Sequence, residues 1–270
     1  MRRLVAPLLA ALLGAAIALP LLWALVGSLA PRGALAGAGS PLPDRLVLDH
    51  YRALFTEREF WRPIASSLIV AGSTTVLCLL LATPCAYALT RLAFPGRRAV
   101  LALVLAVAMF PQIAIVSPLY ALLRAVGLID TYPGLVLPYL TFSMPLAIWL
   151  LASHFRSLPP DLEEAGRVDG AGRVRTLLEL VLPLALPGLA TTAILTFLYC
   201  WNEFLFALSF TVGPDHRTVP VAITLFRGRY QVPWGEILAG AIVASAPVAV
   251  LVFAFQRRLV GGLTSGAVKG

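Results

Sequence analysis

The sequence predicts an all-α membrane protein of six transmembrane helices, and three observations lead there. Of 270 residues, 59% are hydrophobic and only 13% charged, with a mean hydropathy of +0.88. One soluble core cannot absorb that much apolar surface, because a soluble domain of this size turns mostly polar side chains to water. Apolar stretches of membrane-crossing length recur along the chain, and six of about 20 residues with their loops fill it. The charges sit as small groups between these stretches. No length remains for a separate catalytic domain.

The first stretch runs from Leu4 to Leu29 behind Met1-Arg2-Arg3 and contains Pro7 and Pro20. A signal peptide is the competing reading, but an apolar signal core is roughly 7 to 15 residues and no AxA-type site closes this one. The expectation is a retained first span with a cytoplasmic N-terminus. From Pro31 to Arg62 the chain is mixed and charged, which predicts an external loop. Within it Leu46, Leu48, Tyr51, Leu54 and Phe55 form a partly helical apolar stripe, a surface for a partner or for the membrane interface. Five further spans are expected over 64–89, 99–123, 135–153, 184–210 and 237–255. With both termini inside, Arg91, Arg97 and Arg98 fall in a short cytoplasmic loop and Gln256-Arg257-Arg258 opens a cytoplasmic tail reaching Lys269. Arg217, Arg227 and Arg229 fall outside, so the charge asymmetry is modest. Proline interrupts every span, either as packing kinks or as bends around a pathway.

Several function classes drop out. The net charge of +8 is not gathered into a basic stripe with interleaved aromatics, which removes nucleic-acid binding. Cys78, Cys85 and Cys200 lie within apolar stretches without CxxC spacing, and His50, His154 and His216 are scattered over three loops, so neither a disulfide framework nor a metal site is expected. No GxxxxGK[ST] stretch exists to cradle the phosphates of ATP, so any energy from ATP must arrive through another subunit. A membrane enzyme lacks a credible catalytic pair.

The longest polar cytoplasmic stretch is the loop 154–183 between the fourth and fifth spans. Pro159 and Pro160 can open a helix, since first-turn amides lack intrahelical partners, and Asp161, Glu163 and Glu164 then face the positive end of its dipole. Gly170 is placed to end that helix in a left-handed conformation, after which Ala171 to Leu180 can form a second helix. Small Ala165 and Gly166, with Leu162 and Val168 beside them, give a shallow face for another protein. Composition alone favours the plainer reading, a well-capped amphipathic loop helix.

The spacing of this loop decides between those readings. Glu164-Ala165-Gly166, then Gly170, then Leu180, Leu182 and Pro183 resembles the EAA loop of ABC-importer permeases: EAA, three residues, G, nine residues, I, one residue, LP. Gly166 replaces the second Ala and Leu180 replaces Ile. Ser66-Ser67-Leu68-Ile69-Val70, Ala86-Tyr87-Ala88-Leu89, Trp201-Asn202-Glu203-Phe204 and Gly266-Ala267-Val268-Lys269-Gly270 extend the resemblance over the whole chain. They are similar to the carbohydrate branch, in the manner of the maltose importer's second membrane subunit. The resemblance implies a bacterial or archaeal cytoplasmic-membrane permease that moves a sugar by alternating access. It implies as partners a second permease in a heterodimer, an ATPase dimer carrying the ATP and Mg, and an extracytoplasmic solute-binding protein; no cofactor is expected on this chain. It also implies that Leu162, Glu164, Ala165, Gly166, Asp169 and Gly170 dock the ATPase like a ball in a socket. The same family moves polyol phosphates and related solutes, which remains the alternative cargo.

One ionisable residue, Glu203, falls inside a predicted span, next to Trp201 and Asn202. A carboxylate at membrane depth is costly unless it meets a cavity or partner. Two readings stand: a substrate-pathway or gate contact, or an interfacial anchor with Trp201 in the aromatic belt. Gln112, Thr141, Ser143 and Thr196, together with Ser117, Thr191 and Thr192, are the polar span residues that either line a pathway or glue helices together. A secondary transporter using Glu203 would need two similar halves, and no internal repeat is visible.

Overall fold

The computed structural model describes residues 2–31, 43, 45–226 and 232–264. Residues 32–42, Asp44, Arg227, Arg229 and the Gly266 to Gly270 stretch with Lys269 lie outside the described residues, as do the side chains of Ala165, Gln256, Arg257 and Arg258. The described residues are helical, with no strand among them. In order they are α1 (Arg2–Ser28), α2 (Asp49–Thr56), α3 (Trp61–Arg91), α4 (Arg97–Ala108), α5 (Gln112–Ala125), α6 (Tyr132–Ser157), α7 (Asp161–Val168), α8 (Arg173–Arg175), a π-helical turn Thr176–Val181, α9 (Leu182–Trp201), α10 (Leu205–Phe210), α11 (Val219–Thr224) and α12 (Trp234–Thr264).

Among the described residues five helices are long and apolar enough to cross a membrane: Pro7–Ser28, Trp61–Arg91, Tyr132–Ser157, Arg173–Trp201 and Trp234–Phe255. A sixth crossing exists only if α4 and α5, bent by 91° at their break, count as one. Within the third span expected over 99–123, the helix stops at Met109 and restarts after Pro111. Proline has no amide to donate back and disfavours helical geometry in the residue before it. Pro111 accordingly sits at φ −67° and ψ 118° as the N-cap of α5. The stretch 184–210 also divides, with α9 capped at Asn202 and α10 beginning at Leu205.

Elsewhere the helices carry their prolines inside, at Pro7, Pro20, Pro84, Pro118, Pro138, Pro145, Pro187 and Pro247. Hydroxyls satisfy themselves on the preceding turn: Thr75 donates to the Ala71 carbonyl at 2.7 Å and Thr192 to that of Gly188 at 2.9 Å. In an apolar solvent this backbonding lets a polar side chain be buried without another partner.

The chain divides into two units, one of Met1–Ile64 with Val219–Ala249 and the other of Ala65–Thr218 with Val250–Gly270. In the first, Val47 N–H donates to the Leu29 carbonyl at 2.8 Å, Ser28 meets the Tyr51 hydroxyl at 2.7 Å, and the His50 ring lies on Gly235 with Nε2 2.9 Å from the Ala30 carbonyl. Arg58 pairs with Glu236 at 2.9 Å and covers the Phe226 ring. Of the apolar stripe expected before the second span, Leu54 is buried, while Leu46, Leu48 and Phe55 are exposed. Along α1, Leu8, Leu12, Leu13 and Ile17 are exposed.

The second unit packs α3, α6 and α9 through small residues. Cys78, Ala82 and Ala86 of α3, Ala147, Ile148, Leu151, Ala152 and Phe155 of α6, and Ala185 of α9 form one buried cluster with Val181. Alanine at these positions lets helix backbones approach closely, which is how membrane helices gain contact without a hydrophobic driving force. Gly188 extends this logic, since a Cβ there would collide with the His154 ring.

Candidate functional site

The loop after α6 folds as the helix-turn-helix that its prolines and glycines predict. Pro159 and Pro160 precede α7, and three carboxylates, Asp161, Glu163 and Glu164, occupy its first turn against the positive dipole end. Its C-terminus is a Schellman motif. Gly170 adopts φ +72°, its N–H donates to the Arg167 carbonyl at 3.1 Å, and the Ala171 N–H donates to the Gly166 carbonyl at 2.8 Å. The second helix begins at Arg173 rather than Ala171, makes a π-helical turn through Thr176–Val181 and continues into α9. That continuity ties the loop directly to a membrane-crossing helix.

Arg91, the last residue of α3, fastens α7 to the bundle. Its guanidinium donates to the Phe155 and Leu158 carbonyls, the latter at 2.7 Å, and lies 3.3 Å from the Glu163 carboxylate. One cation therefore closes the end of α6 and grips the first turn of α7. The other attachment is Gly166. A Cβ here would lie 2.9 Å from Thr176 Oγ1 and 3.1 Å from Leu180 Cδ1, so α7 rests directly on the π turn.

Of the six residues expected to dock a partner, Gly166 is buried against this chain's own Thr176. The outward face is formed by Glu164, Asp169 and Gly170, all exposed, with Leu162 half-buried at its edge. Val168 is 87% exposed and Val174 70%, an unusual pair of apolar side chains on a polar loop.

The polar residues of the spans are dispersed among different tasks. Ser143 and Thr196 are buried, and the Ser143 hydroxyl donates to the Leu140 carbonyl at 3.3 Å. Thr141 is exposed with its hydroxyl turned back to the Leu137 carbonyl at 3.0 Å. Gln112, the first residue of α5, donates to the Tyr199 hydroxyl of α9. Asn202 is exposed and donates to the Leu198 carbonyl at 2.8 Å.

Glu203 is 7% exposed, and both of its oxygens are used: the Phe206 and Ala207 N–H groups donate to them at 2.9 and 3.2 Å. It caps α10 from within the break, with fully buried Tyr139 beside it. Trp201 is 3% exposed and stacks on Phe197 at 5.7 Å. Trp201 is thus packed within the chain, and the carboxylate sits at the break between α9 and α10 rather than in a continuous helix.

Residues 79–265 match the binding-protein-dependent transport system inner membrane component family. The chain belongs to this family. Among its relatives are the trehalose transport system permease protein of Mycobacterium tuberculosis, 45% identical over 254 residues that cover 93% of this chain and 92% of that protein. The trehalose/maltose transport system permease protein of Thermococcus litoralis is 38% identical, covering 93% and 91%. A crystal structure of a bacterial ABC transporter involved in the import of the acidic polysaccharide alginate superposes with a TM-score of 0.80 at 21% identity, covering 94% of each chain, and shares the fold.

This family is a transport family, so the chain is a multi-pass membrane permease and not an enzyme. Three structural residues of the permease escape sequence reading. Arg91 reads in sequence only as a loop charge, Thr176 as a helix residue, and Tyr199 as an apolar aromatic. Asp130 is a fourth: at φ +57° its carboxylate accepts from the Val212 and Gly213 N–H groups at 3.2 and 3.1 Å, holding the segment after α10. Its signal is weak, an aspartate before Thr131 that side-chain-caps α6 at Gly134 N.

Proposed function

We propose that this permease imports a sugar, as one half of a heterodimer with a second permease, from an extracytoplasmic binding protein and at the expense of ATP bound with Mg on a separate ATPase dimer. The observation that carries the reading is 45% identity over nearly the full length of a trehalose transport permease, with a trehalose/maltose permease close behind. Glucose disaccharides are accordingly the first cargo to test.

In this reading both termini and α7 face the cytoplasm, and the face of Glu164, Asp169 and Gly170 seats in the ATPase. Closure of the ATPase pair moves α7 as a rigid lever. Arg91 passes that displacement to α3 and α6, and the π turn passes it to α9. The spans then tilt to open the pathway outward, an alternating-access cycle built on rigid-body motion. Glu203 supports this division of labour, because a carboxylate with both oxygens on backbone amides is poorly placed to carry a coupling proton.

The test is co-purification of the chain from its native membranes in mild detergent, followed by reconstitution. Recovery of an ATPase and a second permease, with ATP-dependent uptake of labelled trehalose or maltose given the binding protein, is the expected result. Uptake by this chain alone, without ATP, would overturn the reading.

A further inference from the structure

A cavity of about 240 Å³ lies at the Arg91 end of α3, under the coupling loop. Arg91, Arg167 and Arg173 line it, together with Tyr87. Glu163 is the one carboxylate on its wall, and it is taken by Arg91 at 3.3 Å. The wall therefore carries an excess of two positive charges. Arg175, the next cation along, has its own partner in Glu179 at 2.8 Å and does not add to the count.

Among the described residues Arg167 uses only its Nε, donating to the Glu163 carbonyl at 3.2 Å, which leaves both terminal nitrogens of its fork. Three arginines around one cavity, with spare fork donors on Arg167, match the several oxygens of a tetrahedral anion better than they match a neutral solute. The location narrows the chemistry. Leu92 and Ala93 continue the cavity wall away from Arg91, and Phe94, Val100 and Leu103 beyond them are exposed apolar side chains on a membrane-crossing chain. A basic pocket beside exposed apolar side chains of a membrane protein is a setting in which anionic head groups are held.

We propose that the cavity among Arg91, Arg167, Arg173 and Tyr87 binds a single phosphate group, carried by an anionic phospholipid or by a soluble phosphate. Occupancy would bridge the end of α3 to both arms of the coupling loop, since Arg91 lies on α3, Arg167 on α7 and Arg173 at the start of the second arm. The membrane composition would then tune how stiffly the loop is held. This is separate from the sugar reading, because its readout is ligand binding and not uptake.

The test uses the complex purified with its partner subunits and placed in nanodiscs of neutral phosphatidylcholine. Phosphatidylglycerol is titrated in one arm and inorganic phosphate in the other, with the melting temperature of this chain as readout. The expected result is a saturable rise in at least one arm. In Arg167→Gln/Arg173→Gln the half-saturating amount rises about tenfold or more, as losing two head-group cations requires. Arg167→Lys/Arg173→Lys keeps the charge but loses the forks, so its half-saturating amount falls between those of wild type and the glutamine pair, and it guards against misfolding of the latter. A rise with phosphatidylglycerol alone assigns the phosphate to lipid, and a rise with inorganic phosphate assigns it to a soluble source. No rise in either arm, as when an acidic residue of the ATPase fills the cavity, overturns the proposal. So does a rise that the glutamine pair leaves unchanged.

Discussion

Arg91 and Glu163 are 72 residues apart in sequence and 3.3 Å apart in space, with side chains only 11% and 18% exposed. The same guanidinium closes the carbonyl end of α6 at Phe155 and Leu158. Three helices thus meet on one cation, which is what a lever needs at its fulcrum.

Replacing Arg91 with Gln removes that fulcrum and leaves Glu163 partly buried without its counter-charge. Breaking one side of a buried pair typically costs about 3–5 kcal/mol, and partial exposure puts this case nearer 2–3 kcal/mol. The expected outcome is uptake reduced by at least about tenfold, a tenfold effect corresponding to only about 1.4 kcal/mol, while ATP hydrolysis continues without being coupled to sugar. Measuring both rates in proteoliposomes checks it, and wild-type coupling ratios would show that α7 does not move through Arg91.

Gly166 gives a test with an internal rescue. Alanine, the residue of the general EAA pattern, would bring a Cβ to 2.9 Å from Thr176 Oγ1. Gly166→Ala should therefore cost about 1–2 kcal/mol by overpacking. Combining it with Thr176→Ala removes the obstructing hydroxyl and methyl, so the double variant should recover most of the melting temperature. Independent, additive losses in the two variants would mean that the two residues do not share a contact.

Much of this loop is legible in the amino-acid sequence. The proline pair, the acidic first turn and Gly170 each specify backbone geometry locally, and α7 and its Schellman end follow them. Pro111 carries the same kind of signal, yet Pro84 and Pro138 lie inside unbroken helices, so proline alone does not announce which span breaks. Arg91 and Tyr199 are illegible for a different reason: their partners are 64 or more residues away, and sequence periodicity carries no information on such pairs. The small residues mislead in one respect. Gly166 could equally admit a partner or this chain's own Thr176, and only packing distinguishes the two.

Glu203 is expected to behave as a helix cap. Its alanine variant leaves the Phe206 and Ala207 amides buried without acceptors and should lose about 2–3 kcal/mol, visible as a lower melting temperature and reduced assembly. Glu203→Gln keeps one oxygen and should lose about half as much, with the sugar KM unchanged. A raised KM with normal stability would make Glu203 a substrate contact instead.

The bend between α4 and α5 has a hydrogen bond beside it that a double-mutant cycle can isolate. Gln112 begins α5 immediately after Pro111, and its amide donates to Tyr199, a half-buried residue of α9. Tyr199→Phe removes the acceptor but keeps the ring, and Gln112→Ala removes the donor. If the bond fixes the 91° bend, each variant should slow maximal uptake several-fold with little change in KM. The double variant should then be no slower than the worse single one, corresponding to a coupling of about 0.5–1.5 kcal/mol. Losses that multiply would mean that the two side chains act separately. A KM raised in Tyr199→Phe alone would put the tyrosine hydroxyl on the sugar itself. The cycle needs both kinetic constants, because only the split between rate and affinity separates a latch on the helix bend from a contact with the cargo.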